Sequence, residues 1–291
     1  MTRALLVAVI GLVAASTLWA QEPRFSVRAD IVSLDVWVGN RSAPVTDLRP
    51  DEFEVRDNGT LLPVLRADYA VMPVDVTLVI DMSASVRGTL LTALSNAVDA
   101  VQARLGPRDT VHVIRFDHRI AEQRVDTGQA VSAQLGPPGG QTALMDALVA
   151  SLIRPRDPSR RQLLILFTDG ADTISFVDES MARAVALRSD AAVFVVAASD
   201  RNIFDMPHAG FLEAITRATG GRLAVLSRES SLSPAFIQSL DEFRQSYVVQ
   251  YVLPGQPQPG WHDVDVRVSR PGTFTVRARR GYVASSTMPV E

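Results

Sequence analysis

The sequence has no cysteine, and none of its 29 basic residues is lysine. The first absence excludes a disulfide scaffold, thiolate zinc sites, a cysteine nucleophile and a lipid anchor on an N-terminal cysteine. The second removes the P-loop lysine and Schiff-base chemistry. No Gly-x-Ser-x-Gly elbow is present, which argues against an α/β-hydrolase triad, and no Gly-x-Gly-x-x-Gly follows a strand, so dinucleotide binding is unsupported. A net charge of −3 leaves no basic footprint for nucleic acid. His112, His118, His208 and His262 are scattered, without the convergence that zinc needs.

What remains is an ordinary folded chain of 291 residues with 47% apolar side chains, enough for about two domains with a core of good size. Residues 1–20 read as a signal peptide: Arg3, an apolar run from Ala4 to Leu18, and a small-residue exit at Ala20. Leu18 is large for a position near the cut, and an uncleaved N-terminal anchor is the alternative. No later apolar stretch is long enough to cross a bilayer. Either way the bulk of the chain is expected outside the cytoplasm.

Residues 21–72 read as β-structure. Phe25 to Ile31 alternate in one phase and Val32 to Val38 in the other, which predicts a bulge or bend. Leu48 to Phe53 reads as a turn or a single helical turn, and Asp57-Asn58-Gly59 as a hairpin. Residues 73–244 alternate between buried strands and helices, the pattern of a mostly parallel sheet covered by helices on both faces. After 245 the helices stop and alternating strands return. Neither β-rich flank has enough strands to close a core, so the flanks are expected to pack together as one small sandwich; two separate β appendages are the alternative.

The informative residues stand at strand ends. Asp81, Ser83 and Ser85 follow the first buried strand of the centre, and Asp169 ends the very apolar strand Leu163 to Thr168. In open parallel sheets, ligands bind beyond the carboxyl ends of strands where the strand order reverses. Were these strands neighbours, both acids would meet in one crevice. Hydroxyls and carboxylates without His or Cys make a hard-oxygen site, suited to Mg²⁺ and also to Mn²⁺ or Ca²⁺. Thr142, after Gly139-Gly140-Gln141, offers a further hydroxyl. The plainer reading of Asp81 to Ser85 is a turn that caps the following helix. Asp146 reads as an acid in the first turn of a helix, with a hold on a metal-bound water as the alternative. Asp172 reads as a solvated loop acid, with support of the site ligands as the alternative. Arg154, Arg156, Arg160 and Arg161 read as a solvated basic loop, with a phosphate or acidic-partner patch as the alternative.

Asp81-x-Ser83-x-Ser85, Gly140 to Leu148 and Phe167-Thr168-Asp169-Gly170 resemble the three segments of the metal-ion-dependent adhesion site of von Willebrand factor A (VWA) domains. Ala218-Thr219-Gly220-Gly221-Arg222 resembles the stretch before the last strand of such domains. With Leu48 to Gly59, Tyr247 to Tyr251 and Val276 to Tyr282, nearly the whole mature chain resembles bacterial secreted "VWFA-related" proteins. Gln141 is a departure, since relatives often run from Gly straight to Thr. The resemblance implies a Rossmann-like α/β domain with Ser83, Ser85 and Thr142 on a divalent ion, and Asp81 and Asp169 acting directly or through water. It also implies an extracytoplasmic protein partner whose Asp or Glu completes the shell. No enzymatic activity is expected, since no His stands near the three segments to act as a general base beside the ion and the carboxylates are taken as ligands. A metal-assisted hydrolase and a metal-free scaffold are the other readings.

Overall fold

A computed structural model describes residues 29–284 apart from 42, 71, 126–128, 170, 201–205, 229 and 256. The leader segment, Phe25, Val27 and Gly170 lie outside the described residues. The chain opens with β1 (Ala29–Asn40), β2 (Ala43–Pro44), β3 (Phe53–Asp57), β4 (Thr60–Leu62) and β5 (Val64–Tyr69). Between β3 and β4, Asn58 and Gly59 take φ values of 47° and 80°. A tight hairpin demands positive φ at both central residues, and Asn-Gly accepts it at least cost.

The central stretch runs β6 (Val74–Asp81), α1 (Thr89–Arg104), β7 (Thr110–Phe116), β8 (Ile120–Arg124), α2 (Leu144–Leu152), β9 (Arg161–Thr168), α3 (Glu179–Arg188), β10 (Ala192–Ala198), α4 (Ala209–Thr219), β11 (Leu223–Leu226) and α5 (Ser233–Arg244). Its sheet has the order β11-β10-β9-β6-β7-β8, parallel throughout except for the antiparallel edge pair β7–β8. The apolar run of β9 needs cover on both sides because successive side chains alternate. Leu163, Ile165 and Phe167 pack in the core that includes α1 and α5, while Leu164 and Leu166 pack with α2, α3 and α4. Burying each such side chain contributes roughly 1.5–3 kcal/mol relative to exposure. From β6 the chain moves one way to β7 and later returns on the other side as β9. The strand order therefore reverses between β6 and β9, and a crevice opens at their carboxyl ends.

The chain ends with β12 (Tyr247–Pro254), β13 (Gly260–Val268), β14 (Thr275–Ala278) and β15 (Gly281–Ala284). These strands interleave with the N-terminal ones. One sheet has the order β14-β1-β12-β5, with β2 on β1, and the other β15-β13-β3-β4. Leu34, Val36, Phe53, Val55, Tyr247, Val249, Tyr251 and Val264 share a single core. The two flanks thus form one sandwich, with the α/β stretch inserted between them. One expectation needs correction. β1 keeps one register against β12 from Ala29–Pro254 to Val36–Tyr247, with no bulge at Ile31. The phase flips because Ile31 faces solvent, 59% exposed; the register shift lies instead on β12, between Gln250 and Tyr251 where it meets β5. β15, too short to show alternation, was not read from the sequence.

Arginines join the two parts. The Arg161 guanidinium is buried, bonds the Asp35 carboxylate of β1 at 2.5 Å and the Phe243 carbonyl at 2.7 Å, and lies 4.3 Å from the centre of the Phe243 ring. Arg277 of β14 stacks on Trp37 at 4.0 Å and bonds Glu242 of α5 at 2.6 Å. The planar guanidinium can stack and bond at once, which an ammonium cannot. The expected solvated basic loop is corrected accordingly. Arg161 is buried at the start of β9, and Arg156 bonds Ser189 Oγ and the Ser151 carbonyl. Their acceptors come from other elements, so neighbouring residues in the sequence give no hint of them.

Candidate metal centre

Residues 82–88 link β6 to α1 at the crevice. Asp81, the last residue of β6, is fully buried. Its Oδ1 accepts the Ser83 backbone N–H at 2.9 Å, and its Oδ2 accepts the Thr168 hydroxyl at 3.0 Å from neighbouring β9. Burial pushes the Asp81 carboxyl up to about 6, the Ser83 and Thr168 hydrogen bonds oppose this, and the nearby Asp169 charge adds to the rise. The capping reading of this turn does not hold: α1 begins behind Gly88, and no side chain caps it.

Beyond Asp81 runs a chain of oxygens. Ser83 Oγ lies 3.0 Å from Ser85 Oγ, and the Ser85 hydroxyl donates to Asp169 Oδ1 at 2.9 Å. Ser83, Ser85 and Asp169, from stretches 84 residues apart, therefore share one contiguous polar cluster.

The third stretch lies against the first. The Ala84 N–H donates to the Gly140 carbonyl at 3.1 Å, and the Gly139 N–H to the Met82 carbonyl at 2.8 Å. Gly140 has φ 75°, and a Cβ there would overlap His118 Nδ1. Only glycine combines that backbone with that approach. Thr142, two residues on, is buried. Its N–H donates to Thr173 Oγ1, and its carbonyl accepts the Thr173 N–H, both at 2.9 Å.

Asp146 and Asp172 anchor the loop after Asp169. Asp146, in the first turn of α2, accepts the Phe176 and Val177 N–H groups at 3.1 and 2.9 Å. Asp172 accepts the Met145 N–H at the start of α2 and the Ser175 N–H. The solvated-acid reading of Asp172 is corrected: its carboxylate satisfies a helix N-terminus. The loop so held leaves Phe176 99% exposed.

Two neighbours of the cluster were missed. His118 was read as remote from the three segments, yet it packs on Gly140, with Nδ1 3.1 Å from Asp117 Oδ1. Arg228 meets Asp169 from the far side. Its Nη2 lies 2.6 Å from Asp169 Oδ2 and 2.9 Å from the Ser85 carbonyl, and its Nη1 donates to the Asp169 carbonyl at 3.2 Å. Nothing local marks Arg228, which stands 59 residues from its partner acid.

Among the described residues, no three His, Cys, Asp or Glu side chains converge so as to hold a metal ion. Any cation here relies on hydroxyls beside Asp81 and Asp169. That donor set consists of neutral and anionic oxygens only, the preference of Mg²⁺ and Mn²⁺. The residues present fit such an ion.

The architecture is that of a VWA domain. A von Willebrand factor type A protein from Catenulispora acidiphila matches with a TM-score of 0.50 and 13% identity, over 88% of this chain and 74% of that one. Proximal thread matrix protein 1 from the mussel byssus, solved with a zinc-occupied MIDAS motif, gives 0.49 and 17% over 64% of this chain and 48% of its own. VWA2, an ArnB paralog from Sulfolobus acidocaldarius, gives 0.44 and 10% over 89% of this chain and 75% of its own. This chain thus spans about half the length of the mussel protein. No protein-family model and no curated protein matches the sequence. At these identities the likeness concerns the fold alone.

Proposed function

We propose that this VWA-fold chain is an extracytoplasmic binding module, not an enzyme, which presents a divalent cation, Mg²⁺ or Mn²⁺, to a carboxylate of a protein partner. The observation that carries the reading is the hydrogen-bonded set at the switch point of the sheet, in which Asp81 accepts the Ser83 N–H and the Ser83 Oγ, Ser85 Oγ and Asp169 oxygens follow one another. Ser83, Ser85 and Thr142 would supply neutral hydroxyls, with Asp81 and Asp169 as the acids. A dication among so few charges stays electrophilic and accepts an outside carboxylate. The placement outside the cytoplasm rests on the leader-like residues 1–20; no described helix is long and apolar enough to cross a membrane.

The test is retention of a protein from the native cell envelope on the immobilised chain, with and without chelator. Capture that needs the ion and is lost in Asp81→Ala supports the module. Capture indifferent to both opposes it.

One observation favours a second reading, a metal-assisted hydrolase: the His118–Asp117 pair beside Gly140 is a candidate general base. A phosphatase and peptidase screen with Mn²⁺, run beside His118→Ala and Asp169→Ala, tests it. Turnover lost in both variants would replace the binding reading.

A further inference from the structure

Asp169 is bonded on both carboxylate oxygens, one to Ser85 and the other to Arg228. The acid and the base are not equally fixed. The Asp169 side chain is 1% exposed, while that of Arg228 is 31% exposed. A buried carboxylate needs a counter-charge nearby, since desolvating it alone is costly. The guanidinium also spans two of the three site stretches, bonding the Ser85 carbonyl as well as Asp169.

A cavity of about 460 Å³ adjoins this contact, lined by Asp169, Ser199, Asp200, Met206 and Arg228 among others. Asp200 already holds the Arg228 backbone, with its Oδ1 3.0 Å from the Arg228 N–H and 3.1 Å from Ser227 Oγ. The cavity thus offers the guanidinium a second place beside a second acid.

We propose that Arg228 is a built-in competitor for the cation: it neutralises Asp169 in the ion-free site, and divalent-ion binding displaces it toward Asp200. The proposal rests on the cation-site reading and adds a residue that sets the site's affinity. Two like charges drawn to one buried carboxylate oppose each other strongly at short range, so the guanidinium weakens ion binding while it stays. Removing its charge strengthens the site, although the same change removes a bond from the ion-free fold. A residue that merely held the loop in shape would do the reverse, since its loss would disorder the ligands and weaken the ion.

The experiment is titration of the purified chain with Mn²⁺, followed by the electron paramagnetic resonance of free ion, on wild type, Arg228→Gln, Arg228→Lys and Asp169→Ala. Arg228→Gln is expected to bind Mn²⁺ at least about tenfold more tightly than wild type, and to melt at a lower temperature in chelator. Arg228→Lys, which keeps the charge, is expected to stay near wild type and so separates charge from loop shape. Equal or weaker binding by Arg228→Gln, with wild type binding, overturns the competitor role and leaves the cation site standing. Absence of binding by wild type and Arg228→Gln alike overturns both.

Discussion

Thr168 donates its hydroxyl to Asp81 Oδ2 at 3.0 Å across the boundary between β6 and β9. The residue that precedes Asp169 therefore aims the other acid of the site. The Asp81 charge costs the fold stability, since burial pushes its carboxyl up to about 6, above the ordinary aspartate value. Asp81→Asn and Thr142→Ala are both expected to keep the fold, the latter because the Thr142 bonds to Thr173 run through its backbone N–H and carbonyl. The check is thermal melting with and without Mg²⁺. Wild type should rise, by about 2.7 kcal/mol of stabilisation at a hundred times Kd. Both variants should lose the rise; a full rise in either removes that residue from the site.

Gly140 meets His118 so closely that an added Cβ requires the imidazole to shift. Gly140→Ala is expected to destabilise by about 1–3 kcal/mol through positive φ and the clash, and to shift the Thr142 loop. His118→Ala in the same chain removes the clash and leaves only the backbone cost of about 1 kcal/mol. Urea denaturation of the two variants checks this. Identical midpoints would show that the imidazole does not confine the loop.

Arg161 is the buried half of the Asp35 pair between sandwich and α/β sheet. Arg161→Ala is expected to lose about 3–5 kcal/mol, whereas Arg161→Met, which refills the volume beside Phe243, loses less. Chemical denaturation of both decides it; equal small losses would mean that the pair does not tie the two parts together.

Asp57 in the sandwich accepts His262 Nδ1 at 2.6 Å, Tyr282 Oη at 2.8 Å and Tyr251 Oη at 3.0 Å. Burial pulls the His262 imidazole down, but the Gln258 carbonyl and the Asp57 carboxylate outweigh it and hold the imidazole above its ordinary value. A raised histidine binds its proton more tightly folded than unfolded. Its stabilisation is therefore complete below about pH 6.5, the ordinary value, and is lost as pH climbs through the folded one. The urea midpoint should fall over that interval in wild type and fall less in His262→Gln. Parallel profiles for the two would contradict it.

The α/β stretch was legible because burial on both faces writes itself into the sequence as unbroken apolar runs such as Leu163 to Phe167, and strand ends can be counted from them. The sandwich was legible from alternation, except where an exposed Ile31 imitated an inward residue. Ser83, Ser85 and Asp169 could be suspected of meeting because strand ends collect at a switch point. Arg228, His118 and the arginine contacts to Asp35 and Glu242 could not. Each depends on where a long side chain lands after folding, and neither periodicity nor spacing carries that.

A crystal soaked in Mn²⁺ and measured for anomalous scattering tests the cation site most directly. The expected result is one strong peak within ligand distance, roughly 2.0–2.3 Å, of the Ser83, Ser85 and Thr142 hydroxyls, with Arg228 turned away from Asp169. Saturating Mn²⁺ that leaves no peak there, with the Arg228–Asp169 bond intact, would contradict the account.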